Sequence, residues 1–292
     1  MFYFCNNNLF ITMKHYPCIL TIAGSDCCGG AGIQADIKTI SALGAYATSV
    51  ITAVTAQNTC KVTGIHSIPS AFIKEQIEDV MNDIHPSGIK IGMINNAETA
   101  IVIAESIKKF KPEFVVLDPV MVSTSGSSLM EKDAVQAVKD HLFPLSTLIT
   151  PNIKEAEALL QCDIKEKEAM KQAAKELLQY GSKAVLVKGG HLQQDAMYDI
   201  LHICNEKEPH IYSLPKIEST NTHGTGCTLS SAITTFLVSG MPLQVAVCKA
   251  KEYVYQSILH GKDIQIGAGH GPLNHFHHPI PLHIIEDGSV SL

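Results

Sequence analysis

"CILTIAGSDCCGGAGIQAD" (residues 18–36) is the stretch whose reading decides the fold. Residues 18–24 form a short, almost unbroken apolar run, as a parallel strand covered on both faces requires. A glycine-rich turn follows, and then a helical pattern begins at about residue 32. The same order recurs outward along the chain. Further strand candidates are "TSVITAV" (48–54), "GIKIGMI" (88–94), "EFVVLDPV" (113–120), "STLITP" (146–151) and "KAVLVKGG" (183–190). Amphipathic segments at about 32–43, 70–84, 97–110, 131–142, 153–160 and 165–180 separate them. "MYDILHI" (197–203) and "HIYSLP" (210–215) predict a hairpin, and two helices follow, near 226–239 and 242–260. The alternation predicts a single α/β domain with a central, mostly parallel sheet between two layers of helices. No Pro/Gly/Ser-rich linker or internal repeat interrupts it.

Composition narrows the function classes. The 292 residues are 46% hydrophobic and 17% charged, with a formal net charge of −6 and only 22 Lys plus Arg. Without a basic block, neither nucleic acid nor an anionic membrane surface is an expected partner. No run approaches the ~18 apolar residues of a membrane span. The N-terminus, "MFYFCNNNLFITMKHYP", lacks the basic region and apolar core of a signal peptide. Nine scattered cysteines without a C-x-x-C pair read as reduced thiols in a cytoplasmic protein.

In doubly wound sheets, ligands bind beyond the carboxyl ends of the strands. Those ends carry the unusual polar residues here. In "GSDCCGGAGIQAD" (24–36), Gly29, Gly30 and Gly32 permit a close backbone approach, but neither G-x-G-x-x-G nor a P-loop pattern is present. Asp36, on the following helix, faces either a ligand or solvent. Gln57 in "TAQNT" (55–59) offers a planar donor–acceptor pair suited to an aminopyrimidine edge; a solvated loop amide is the plain alternative. In "TPNIKEAE" (150–157), Asn152 and Glu155 have the spacing of a capping box. The same two residues, with Asp118 at the end of "VVLD", also suit the hydration shell of Mg²⁺. Lys188 in "VKGGH" (187–191) is placed to neutralise phosphate, unless it is a surface lysine. "STNTHGTGCTLSSA" (219–232) sets Gly224, Gly226 and Cys227 at the start of an apolar helix, where backbone N–H groups and the helix dipole favour an anion. The alternative there is a turn with an inert buried cysteine. "GAGHGPLNHFHHPIPLH" (267–283) reads as a surface or tail feature rather than a metal site.

Taken together, the segments resemble the hydroxymethylpyrimidine/phosphomethylpyrimidine kinases, within the ribokinase-like superfamily. The pieces that carry the resemblance are "TIAGSD..GGAGIQADIKT", "GAYATSVITAVTAQNT", "IKIGM", "VVLDPVM", "LITPN..EA", "VKGGH", "NTHGTGCTLSSA" and "GPLNHFHH". They run in family order from about residue 18 to 278. The resemblance implies a three-layer ribokinase-like domain over residues 17–278, with 1–16 and 279–292 as peripheral tails. It implies a homodimer that uses ATP and Mg²⁺ to phosphorylate 4-amino-5-hydroxymethyl-2-methylpyrimidine and then its monophosphate. Carried over by position, Gln57, Gly24, Asp36, Met93 and Val120 line the substrate pocket. Lys188, Asn152 and Thr225 serve ATP, while Asp118 and Glu155 serve Mg²⁺, partly through water. Gly224, Gly226 and Cys227 form the anion hole and its catalytic cysteine. Cys27-Cys28 departs from the Pro-Ser type of pair often seen in that loop.

Sugar kinases of this superfamily have an aspartate where Cys227 stands. A neutral thiol avoids repelling a phosphate acceptor, and a helix N-terminus is expected to lower its pKa and supply some thiolate. Pyridoxal kinases of the same architecture are the nearest alternative, and a catalytically silent vitamin- or nucleotide-binding sensor is the alternative of a different class.

Overall fold

The chain is described by a computed structural model. The structure describes residues 10–11, 14–122, 129–190, 196–286 and 290–291. Nine strands form the main sheet: β1 (Cys18–Asp26), β2 (Tyr46–Gln57), β3 (Val62–Ser67), β4 (Gly88–Ile91), β5 (Phe114–Leu117), β6 (Leu148–Ile149), β7 (Ala184–Lys188), β8 (Ala196–Ile203) and β9 (His210–Pro215). Their order is β9-β8-β7-β6-β5-β4-β1-β2-β3. The run from β7 to β2 is parallel; β8 pairs antiparallel with both β7 and β9, and the edge strand β3 pairs antiparallel with β2.

Helices α1 (Gly32–Ala42), α2 (Ser70–Asp83), α3 (Ala97–Phe110), α4 (Lys132–Ala137), α5 (Ile153–Leu160), α6 (Lys167–Leu177), α7 (Thr225–Val238) and α8 (Leu243–Leu259) cover the faces. Alternation along each strand sends successive side chains to opposite layers. Val115 and Leu117 join one apolar core with α2 to α6, whereas Val116 joins the other with α7 and α8. Val185 and Val187 divide from Ala184 and Leu186 in the same way. That two-sided burial is why the strands read as continuous apolar runs.

Two expectations need correction. The sequence reading leaves β3 as loop, because "VTGIHS" is polar and largely exposed at the sheet edge. The histidine-rich segment is mostly surface, as expected, but it is anchored rather than a loose tail. His275 is buried, with its Nε2 3.1 Å from Thr228 Oγ1 on α7 and its carbonyl accepting from Tyr253 on α8. Farther on, Ile280 and His283 donate backbone bonds to Ala42 and Gly44, and Ile285–Glu286 pairs antiparallel with Lys14–His15.

Candidate active site

The sheet order reverses between β1 and β4, and the crevice at the carboxyl ends of these strands is where such folds bind ligands. Two loops close over it. The β1–α1 loop is organised by Asp26, whose carboxylate accepts from the backbone N–H groups of Cys28, Gly30 and Ala31. The loop before α7 packs directly on this one. Gly224 has φ +89°, and a Cβ there would overlap the Gly30 carbonyl oxygen. Only glycine meets both conditions.

Gly224 is the N-cap of α7, and no side chain caps that end. Thr225 N–H bonds back to Thr222 O at 3.3 Å and Thr228 N–H to Gly224 O at 2.9 Å; a helix start of this kind favours an anion. On the other side of Gly226, a Cβ would be 3.1 Å from Asp118 Oδ2 and 3.3 Å from Lys188 Nζ. The fold thus brings Gly226, Asp118 and Lys188 together, with Gly224 at the same helix start. Thr225 is the first residue of α7.

Lys188 is not a surface lysine. Its Nζ donates to Asp118 Oδ1 at 2.6 Å, and the same oxygen accepts from Thr150 Oγ1 at 3.0 Å. Burial works against its charge, but Asp118 and Glu155 raise its pKa above the ordinary lysine value. Asn152 and Glu155 do form a capping box at α5: Asn152 Oδ1 accepts from Glu155 N, and Glu155 Oε2 accepts from Asn152 N. Burial, with repulsion from Asp118, pushes the Glu155 carboxyl up to about 7, against the pull of Lys188. The raised Glu155 carboxyl is one that a nearby cation would draw into its charged form, and it stands close to the Asp118 carboxylate. Oxygen donors in that condition fit a hard divalent cation. Direct ligation by Glu155 would compete with the cap, leaving Asp118 as the nearer donor and Glu155 the more distant one.

Gly24, Met93 and Val120 come together as the sequence reading expects. A Cβ at Gly24 would be 2.9 Å from Met93 Sδ, and Met93 packs with Ala53, Leu129 and Val120. Gln57, at the end of β2, has Oε1 bonded to Thr55 Oγ1 and Nε2 3.3 Å from His223 Nε2.

Asp36 does not line this crevice. It is 0% exposed. Its carboxylate accepts from Lys90 Nζ at 2.8 Å on both oxygens, from Thr21 Oγ1 at 2.6 Å and from Ser231 Oγ at 2.8 Å. Asp36 instead fastens α1 to β1, β4 and α7, underneath the centre. Burial opposes the Lys90 charge, yet Asp36, with help from Cys227 and Asp118, holds its pKa above the usual value.

Cys227 requires a second correction. Burial pushes its thiol up to about 11, outweighing Lys90 and the Gly32 N–H, while Asp36 and Asp118 add to the rise. The downward shift expected from the helix start is thus replaced by an upward one, with burial its largest cause.

Sequence reading overlooks Asp26 and His223. His223 Nε2 lies 2.8 Å from Asp26 Oδ2, although 197 residues separate them. Both stand in quoted motifs, beside the glycines, and that adjacency is the available signal. Burial opposes ionisation of Asp26, but His223, the Cys28 thiol and the loop N–H groups hold its pKa down at about 2. Asn221 also escapes notice: its side-chain N–H groups donate to the Gly261 and Ile264 carbonyls, and its Oδ1 accepts from Gly271.

The phosphomethylpyrimidine kinase family profile matches residues 26–274. The chain belongs to that family. Across 88% of its length it is 47% identical to the thiamine biosynthesis bifunctional protein ThiED of Geobacter sulfurreducens. It spans about half of that relative, 52% of its length. A crystal structure of phosphomethylpyrimidine kinase from Clostridium difficile superposes with a TM-score of 0.73 at 45% identity, covering 82% of this chain and 99% of that one. The pyridoxal kinase of Staphylococcus aureus, in complex with AMP-PCP and pyridoxal, superposes with a TM-score of 0.82 at 29% identity, covering 94% and 100%. The α/β sheet with its two helical layers is thus the fold of both kinds of kinase. Among the described residues no helix is long and apolar enough to cross a membrane.

Proposed function

We infer that this chain is an ATP-dependent kinase that phosphorylates 4-amino-5-hydroxymethyl-2-methylpyrimidine and then its monophosphate, within residues 17–278. The observation that carries this reading is the meeting of three features at one crevice. The uncapped start of α7 offers an anion hole, Asp118–Lys188 adjoins Gly226, and Gln57 stands at the end of β2 beside an apolar floor of Met93 and Val120.

Gln57 reads the aminopyrimidine edge, and Gly24, Met93 and Val120 hold the ring's faces. Lys188 meets the ATP phosphates, with Thr225 and the amide of Asn152 at the same mouth. Asp118 would hold Mg²⁺, with Glu155 reaching it through water. When bound, it supplies positive charge to the phosphate oxygens. The acceptor oxygen attacks the γ-phosphorus, the bond to the ADP oxygen breaks, and the N–H groups at Gly226 and Cys227 receive the charge of the moving phosphoryl group.

Cys227 acts as a neutral thiol. In the second step the acceptor is itself an anion. A carboxylate ~5 Å away, at an effective dielectric of ~20, would repel it by roughly 3 kcal/mol per unit charge. In the first step the hydroxyl proton leaves late, as a loose transition state allows, and passes to an oxygen of the transferred phosphoryl group and from there to solvent, so little general base is needed.

Eight cysteines among the described residues carry free thiols, which supports a reducing, cytoplasmic setting. The active form is a homodimer, to be read from its mass in solution. The pyridoxal kinase reading is kept by one observation, the close superposition on the Staphylococcus aureus enzyme. An assay offering the pyrimidine, its monophosphate and pyridoxal side by side decides between the readings. A diphosphate product supports the proposal; pyridoxal phosphate alone, with no pyrimidine turnover, sinks it.

A further inference from the structure

We propose that Asp26, Cys28 and His223 form a binding site for a divalent cation of the zinc class, at the pyrimidine end of the crevice. The three side chains present one carboxylate oxygen, one sulfur and one imidazole nitrogen, all within 4.8 Å of one another. His223 Nε2 is 2.8 Å and Cys28 Sγ 3.4 Å from Asp26 Oδ2. Tetrahedral coordination with bonds of about 2.0–2.3 Å sets ligand atoms roughly 3.3–3.7 Å apart. The Asp26–His223 pair would open by about half an ångström to become ligands, while the Cys28–Asp26 spacing already matches.

The donor chemistry selects the cation. Thiolate and imidazole disfavour Mg²⁺ and Ca²⁺ and favour zinc, cobalt and their neighbours. The ligands are also held in place. Asp26 is pinned by the backbone of Cys28, Gly30 and Ala31. The His223 ring rests on Gly30, where a Cβ would collide with His223 Cδ2. Such support orients ligands before the metal arrives.

Binding replaces the Cys28 S–H bond with a metal–sulfur bond and sends that proton to solvent. His223 carries its ring proton on Nδ1 and gives the Nε2 lone pair. Three protein ligands leave a fourth position open. Gln57 Nε2, 3.3 Å from His223 Nε2, borders it. The cation therefore competes with the pyrimidine, a consequence that rests on the reading of Gln57 given above.

The test uses the full chain, stripped of metal and kept reduced, titrated with Co²⁺ alone and then with Zn²⁺. One Co²⁺ per chain is expected to give a thiolate-to-cobalt charge-transfer band that Zn²⁺ bleaches. Cys28→Ser removes the band, and the exposed neighbour substitution Cys27→Ser keeps it. Zn²⁺ affinity falls more than about 100-fold in Cys28→Ser and in His223→Gln, beyond the loss usual for outer-sphere changes. A band that survives Cys28→Ser, or no sulfur band at all, overturns the site. Saturating pyrimidine should weaken Co²⁺ binding. Unchanged Co²⁺ affinity, with pyrimidine binding verified separately, overturns the competition, and a chain that binds Co²⁺ but no pyrimidine counts instead against the kinase reading.

Discussion

Replacing Asp36 by asparagine separates two accounts of that residue. In the structure, Asp36 and Lys90 are both 0% exposed and joined by two 2.8 Å contacts. Asp36→Asn keeps the shape but leaves the lysine charge buried without its counter-ion. Breaking a buried pair in this way costs about 3–5 kcal/mol. That is a large share of the roughly 5–15 kcal/mol that holds a domain folded. At about 2–4 °C per kcal/mol for a domain of 150–250 residues, the melting temperature should fall by roughly 6–20 °C. The companion change Lys90→Met, made in the Asp36→Asn background, removes the stranded charge and should recover most of the loss. Urea and thermal unfolding of the two single variants and the double variant measure this. Pyrimidine and ATP affinities of the folded Asp36→Asn protein should stay close to the parent values. An unaltered melting temperature together with lost pyrimidine affinity would refute the reasoning and restore Asp36 to the pocket wall.

Gln57→Ala should weaken pyrimidine binding while leaving ATP affinity nearly intact; calorimetric titration with each ligand checks it. Cys227→Asp should harm phosphorylation of the monophosphate more than that of the alcohol, and equal losses in the two steps, assayed separately, contradict the neutral-thiol account. His275 is held neutral by burial, with its pKa lowered to about 4 from the ordinary 6.5. Its folded pKa lies below the unfolded one, so its full contribution is present above pH 6.5 and is lost as pH falls from 6.5 to 4. On the order of 3 kcal/mol disappears across that window. His275→Gln should flatten this part of the stability profile, measured by urea unfolding at successive pH values.

The strands of the parallel run are legible because both faces are buried, and an apolar run such as "VVL" has no other place in a soluble domain. β3 is hidden for the opposite reason: its exposed residues carry no periodic signal. Gly24, Met93 and Val120 are placed by the family resemblance alone, since nothing in their residue types marks them as pocket-lining. Asp36 is misread because a helix-borne aspartate gives no hint, in sequence, of a lysine 54 residues away. The triad of Asp26, Cys28 and His223 has the same obstacle on a larger scale, since the fold alone joins its two loops. Cys227 marks the limit of local rules. Its position at a helix start is plain from the glycines before it, but the cost of burial depends on everything packed around it.

The pairing of Lys14–His15 with Ile285–Glu286, and the bonds from Ile280 and His283 to Ala42 and Gly44, hold residues 14–15 and 280–286 side by side beside the start of β2. Ala42 and Gly44 lie where α1 returns to begin β2, at the amino edge of the sheet, opposite the crevice. That clasp therefore braces the face of the sheet away from the crevice, so a change in it should alter stability without touching the residues grouped around Gly226.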